Sequence, residues 1–246
     1  MVHADRSRGG GAGDKSASDP MMQHNVTVQK VRSGVTGEDA AEAALVGVLD
    51  AICPEDSAGG DEPEAAALRL VGEVSRVAML MGFKGAAERG AKFISKCKDA
   101  PLAAVVLADC TNTELAVMNL GPEAEKYTKK MVDTRLNALE RLDKCLISAV
   151  RAEDPEVVHE VCALAWNLSL PALQPNIRKQ AKRVLQSCSK ALEDMFSPLH
   201  ELRAQLHLEV ARCDVADDLY AAASQQVKLQ KSRDQEPVKS SRSEII

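Results

Sequence analysis

Apolar residues recur along this chain at spacings of three and four, in one segment after another. Between Glu123 and Arg151 they fall at Val132, Leu136, Leu139, Leu142, Leu146 and Val150, a single stripe on a helix. A second stripe runs Ile177, Ala181, Val184, Cys188, Ala191 and Met195, and a third Leu199, Leu202, Leu206, Val210 and Cys213. Between the first two, Val157, Val161, Leu164 and Leu168 form one face, while Val158, Cys162 and Trp166 form an adjacent one. A helix apolar on two faces needs neighbours on two sides, as in a stack. No segment shows the alternation of a strand.

Punctuation agrees with the period. Glu38 to Cys53 reads as a helix, and Pro63 occupies the first turn of another that reaches about Met81. Gly82 and Gly85 flank the turn into a third, ending near Lys98, and Pro101 begins a fourth that stops short of Gly121-Pro122. The strongest start signal is Asp154-Pro155-Glu156: a capping carboxylate, a first-turn proline, and a charge that suits the N-terminal dipole. Ser197-Pro198 repeats the cap, and Asp214, Val215 and Ala216 read as the turn into a last helix through Val227. The reading is all-α: about nine helices as antiparallel hairpins, stacked as a TPR-like α-solenoid. The final pair has roughly the length of one tetratricopeptide repeat, about 34 residues. It lacks that repeat's tryptophan, glycine and closing proline, and a compact helical bundle is the alternative.

Residues 1–36 are Gly, Ser and charge without period and read as a disordered tail. The helical domain is expected over residues 37–231, with a polar loop near 54–63, and a flexible tail over 232–246. Composition supports helices: aromatics are only 2% of the 246 residues, which disfavours strands. The net charge of −5 offers no global attraction to nucleic acid. No apolar run of about 18 residues is present to span a membrane. The seven cysteines, with no CxxC, read as buried free thiols of a cytosolic protein.

Candidate chemistry is thin. GGGAGDKS at 9–16 has Asp14 where a phosphate loop needs glycine next to Lys15-Ser16, and no strand precedes it. His200 and His207 lie roughly 10 Å apart along a helix, too far to share a zinc ion. His159 and Cys162 lack a second pair of ligands. Glu153-Asp154 and Asp217-Asp218 are accounted for as helix-start charges. No catalytic residue, cofactor site, metal site or small-molecule substrate is expected, and a helical enzyme or metal protein ranks last. The basic cluster Arg178, Lys179, Lys182, Arg183 and Lys190 reads as a solvated face, or more sharply as a dock for an acidic partner such as tubulin or an acidic helix.

One stretch conflicts with itself: WNLSLPALQPNIRK sets the only tryptophan beside two prolines. The conflict resolves if Pro171 ends one helix and Pro175 starts the next. Trp166, Asn167, Pro171, Gln174, Pro175 and Asn176 then make a structural corner, with the indole packed beneath it.

The same stretch carries a resemblance. Trp166-Asn167, Ser169-Leu170-Pro171, Leu173-Gln174, Asn176 and Arg178-Lys179 resemble a segment of the cilia- and flagella-associated protein 46 family. So do Leu202-Arg203, Gln205, His207, Glu209 and Ala211, then Asp218-Leu219 and Ala222. The family's members are very large TPR-containing proteins of the axonemal central apparatus. The resemblance implies a non-catalytic scaffold in the cytoskeleton of a cilium or flagellum, with other central-pair proteins as partners and a part in regulated beating. A general cytosolic TPR-like adaptor for peptide tails is the competing expectation. The N-terminal half carries no motif of the family.

Overall fold

The structure is a computed structural model that describes residues 20–53, 63–216, 222 and 224–228. The glycine-rich stretch at 9–16, most of the polar loop near 54–63, Asp217-Asp218 and the tail from 232 lie outside the described residues. The described residues form nine α-helices: α1 Pro20–Arg32, α2 Glu38–Ile52, α3 Ala65–Leu80, α4 Lys84–Lys96, α5 Leu102–Met118, α6 Lys129–Arg151, α7 Pro155–Ser169, α8 Arg178–Asp194 and α9 His200–Ala216. Short 3-10 turns over Gly121–Glu125 and Leu170–Ala172 complete the set. No strand occurs among the described residues. None of their helices is long and apolar enough to cross a membrane.

Helices pack in the order expected of stacked hairpins. Each of α1 to α8 packs on its successor, and α4 also packs on α2. Next neighbours pack as well: α1 on α3, α3 on α5 and α5 on α7 make one layer, while α6 on α8 belongs to the other. Two apolar clusters fill the space between the layers. One gathers buried side chains of α1 to α5, among them Val28, Leu45, Leu49, Leu68, Val71 and Ile94. The other gathers α5 to α9, with Leu139, Leu142, Leu185, Leu192 and Leu206. Helix α5 serves both: Ala104 and Ala108 face the first, and Val106, Leu107 and Cys110 the second.

Four local expectations change. The disordered reading of residues 1–36 fails over 20–32, where α1 forms and buries Val28 and Val31 against the first cluster. Its own amphipathic signal is weak, so packing on α2 and α3 supplies the stability that propensity does not. Helix α6 starts at Lys129, not near Glu123, because Thr128 caps it by accepting a hydrogen bond from the Met131 N–H at 3.2 Å. Its buried face keeps Leu139, Leu142 and Leu146 of the inferred stripe and adds Ala138, Cys145 and Ala149, whereas Val150, 51% exposed, falls outside the core. Helix α9 continues through Asp214 and Val215 to Ala216, so no turn lies there.

Candidate functional site

The start of α7 follows its sequence signal. The Asp154 carboxylate accepts from the Glu156 and Val157 N–H groups at 3.0 and 3.3 Å, and Pro155 takes the first position. The same carboxylate accepts from Arg69 of α3, with Nη2 at 2.9 Å, and Arg69 also holds Glu73 one turn along at 2.7 Å. Two turns further, Arg76 is buried and forked: Nη1 lies 2.7 Å from Glu114 of α5 and Nη2 2.7 Å from Glu160 of α7. Burial alone would lower the guanidinium's pKa, but the carboxylates of Glu160 and Glu114 reverse this and raise it. These arginines border a cleft of about 330 Å³, whose wall also includes Arg32, Glu156, His159 and Leu199. Burial pushes Glu73 up despite Arg69, and lowers His159, whose Nε2 lies 2.8 Å from Ser197 Oγ. Two of the three arginines that line the cleft, Arg69 and Arg76, are engaged by carboxylates of this chain and join α3, α5 and α7.

The corner between α7 and α8 differs from two simple proline boundaries. Pro171 sits inside a 3-10 turn, Leu170–Ala172, and Pro175 opens a turn over 175–177 that leads directly into α8. The Gln174 carbonyl accepts from the Ile177 and Arg178 N–H groups at 2.9 and 2.8 Å. Trp166 is half-buried and packs against the second apolar cluster; Asn167, Gln174, Pro175 and Asn176 are exposed. The residue that ties the corner is Arg178, whose Nη2 and Nε donate to the Leu173 carbonyl at 2.9 and 3.3 Å. Arginines repeat this role at other helix ends: Arg89 donates to the Cys53 carbonyl at 3.1 Å and Arg203 to the Ser197 carbonyl at 3.0 Å. A basic residue just after a turn was the available signal, and it reads equally well as surface charge.

The basic cluster divides accordingly. Arg178 serves the corner, and Lys182 is half-buried with Nζ 2.7 Å from the buried carboxylate of Asp214 on α9. Arg183 holds Asp143 of α6 at 3.1 Å but leaves its side chain 84% exposed. Lys179 and Lys190 are exposed on the same helix.

The histidines and thiols serve packing. His207 is buried, with Nε2 2.7 Å from Glu193 and Nδ1 2.6 Å from Gln226, while His200 is exposed. Cys162 packs against Cys188, and the contact together with burial pushes its thiol well up. Burial pushes Cys53 up to about 12 against the pull of Arg89. None of the seven cysteines is joined in a disulfide, and no cluster of three metal-ligating side chains occurs among the described residues.

Fold and site together define a class: an all-α stack of helical hairpins whose buried ions and arginine caps bind its own layers to one another. Within that class, the chain is related to a segment of one large protein. It is 34% identical over 202 residues to cilia- and flagella-associated protein 46 of Chlamydomonas reinhardtii. The match covers 81% of this chain but only 7% of that protein. A match of this length takes in helices of the N-terminal half, where no motif pointed to it. No protein-family profile matches the chain.

Proposed function

We propose that this chain is a non-catalytic structural unit of the ciliary or flagellar axoneme, part of a scaffold in the central apparatus that supports regulated beating. It binds other central-pair proteins through its helical surfaces, with tubulin among the candidates. The observation that carries the reading is the extended similarity to a protein named for cilia and flagella. The layered stack agrees with it, because such stacks offer long surfaces for protein partners. The cleft speaks against a peptide-tail adaptor: a carboxylate clamp needs unengaged cations, and Arg69 and Arg76 already hold Asp154, Glu73, Glu114 and Glu160. On α8, the partner-facing charges in this reading are Arg183 and Lys179, with Arg178 and Lys182 turned to the fold.

The test is fractionation. A tagged copy expressed in a ciliated cell stays with detergent-extracted axonemes and is lost from them in mutants that lack the central pair. Recovery in the soluble fraction alone refutes the proposal. Co-purification dominated by chaperone C-termini, abolished by an excess of the free peptide, supports the adaptor instead.

A further inference from the structure

The second apolar cluster carries one cysteine from each of four successive helices: Cys110 of α5, Cys145 of α6, Cys162 of α7 and Cys188 of α8. They do not converge as a metal-binding tetrad, because no three metal-ligating side chains come together among the described residues. They fall into two dithiols instead. The Cys110 and Cys145 thiols are in hydrogen-bonding contact where α5 packs on α6. The Cys162 thiol meets Cys188 where α7 packs on α8, with its Sγ 3.9 Å from the Cys188 carbonyl oxygen. In both pairs the partners belong to opposite layers of the stack, so a covalent bond between them would staple one layer to the other.

The two dithiols differ in access and in polarity. Cys110, Cys162 and Cys188 are fully buried, whereas Cys145 keeps 7% of its surface in contact with solvent. Beside it lie Arg141, one turn earlier on α6, and Asp109, the neighbour of Cys110 on α5, and both are exposed. The hydrogen bond from Cys110 holds the Cys145 thiol below its ordinary pKa, and the same bond, together with burial, raises Cys110 well above it. Cys145 is thus the member that forms a thiolate, and Cys110 the member that keeps its proton. A reactive dithiol needs this division: one accessible nucleophile and one resolving thiol beside it. The other pair lacks it, because the contact with Cys188 and burial both push Cys162 up and neither sulfur reaches solvent.

We propose that Cys110 and Cys145 are a peroxide-responsive dithiol that closes to a disulfide and staples α5 to α6. The Cys145 thiolate attacks one oxygen of hydrogen peroxide and the O–O bond breaks. Cys145 becomes a sulfenic acid, and the departing hydroxide takes up a proton and leaves as water. The Cys110 sulfur then attacks the Cys145 sulfur, and its proton leaves with the sulfenic hydroxyl as a second water. Two electrons have passed from the pair of thiols to the peroxide. A small-molecule thiol reverses the step by exchange. The staple falls on α5, the helix shared by the two apolar clusters, and so fastens the joint between the halves. This chemistry of the core goes beyond the scaffold reading and does not depend on it.

The test uses the full chain, purified reduced, freed of reductant and exposed to hydrogen peroxide while folded. It is then alkylated in denaturant and mapped by mass spectrometry without reduction. The chain loses two of its seven thiols, in one peptide pair that links Cys110 to Cys145, and dithiothreitol restores all seven. The urea midpoint of the oxidised chain rises, because the staple constrains the unfolded state. Cys110→Ala shows no such rise, and dimedone present during its oxidation traps the sulfenic acid at Cys145. Cys145→Ala leaves Cys110 unlabelled. Seven free thiols after peroxide, a link between any other pair, a link between two chains, or dimedone on Cys110 overturns the proposal. The peptide map is made on the parent chain, so it decides the matter even where a variant fails to fold.

Discussion

The N-terminal and C-terminal halves solve the same packing problem with different chemistry. In the first cluster, α1 to α5, close approach of small residues sets helix spacing. A Cβ built on Gly90 of α4 would lie 2.2 Å from Ser75 Oγ of α3, so the two helices touch where neither carries bulk. In the second cluster, α5 to α9, buried polar groups set the geometry. Asp214 is held by Lys182, His207 by Glu193, Arg203 by the Ser197 carbonyl, and Asp143 by Arg183. Dispersion is non-directional, so the first half depends on shape and tolerates little added volume. Ion pairs and hydrogen bonds are directional, so the second half depends on partners and suffers most from leaving one unpaired. Arg76 belongs to the first half by position and to the second by chemistry, and through Glu114 and Glu160 it joins them.

The largest expected effect breaks that joint. Arg76→Ala leaves two carboxylates without their cation and should cost about 3 kcal/mol, the low end for a buried pair because both glutamates are partly solvated. Urea unfolding followed by circular dichroism should then resolve two transitions, one for each half. A single transition with the parent slope would show that the apolar contacts of α5 suffice to couple them. Trp166→Ala strikes the second half alone. It should cost about 2–3 kcal/mol, less than a fully buried tryptophan, and a loss below about 1 kcal/mol would show the indole peripheral to the cluster.

Gly90→Ala probes the shape-limited half. It should cost about 1–2 kcal/mol despite alanine's better helix propensity, and Ser75→Ala in the same chain should recover most of it by removing the clashing oxygen. Additive losses in thermal melts would contradict the close-packing account. The smallest effect tests the cleft. Burial raises the Glu73 pKa, so the folded state disfavours its charged form relative to the unfolded chain. The penalty is absent below the unfolded value of about 4.3 and complete once pH exceeds the raised folded value. Glu73→Gln should therefore leave stability at pH 7 unchanged or raise it by up to about 0.5 kcal/mol, with no gain near pH 4. A clear loss at pH 7 would mean that the pair with Arg69 outweighs the burial.

Much of this was legible residue by residue. The stripe Ile177, Ala181, Val184, Cys188 is buried as its period demands. Asp154-Pro155 starts α7 because cap and proline act within one turn. Helix α1 was missed because Val28 and Val31 are core positions only once α2 and α3 lie beside them. The corner at WNLSLPALQPNIRK was legible as a corner but not in its working parts. Two prolines mark a boundary by local sterics, whereas the bond from Arg178 to the Leu173 carbonyl forms only after the chain has turned. The basic cluster was visible as charge, yet charge by itself does not distinguish Lys182, turned to a buried Asp214, from Arg183, largely in solvent.

By itself, then, the sequence determined that the chain is helical, where most helices begin, and that they stack as hairpins. Those properties follow from period, capping and backbone sterics, all of which act within a few residues. The tertiary structure alone decided that Arg76 links three helices and that Arg178 and Arg203 cap corners. It also decided that Val150, one step off the buried face of α6, lies at the surface and not in the core. Each of these depends on which side chains meet across sequence separations far longer than a helical turn, and only the packed layers bring them together.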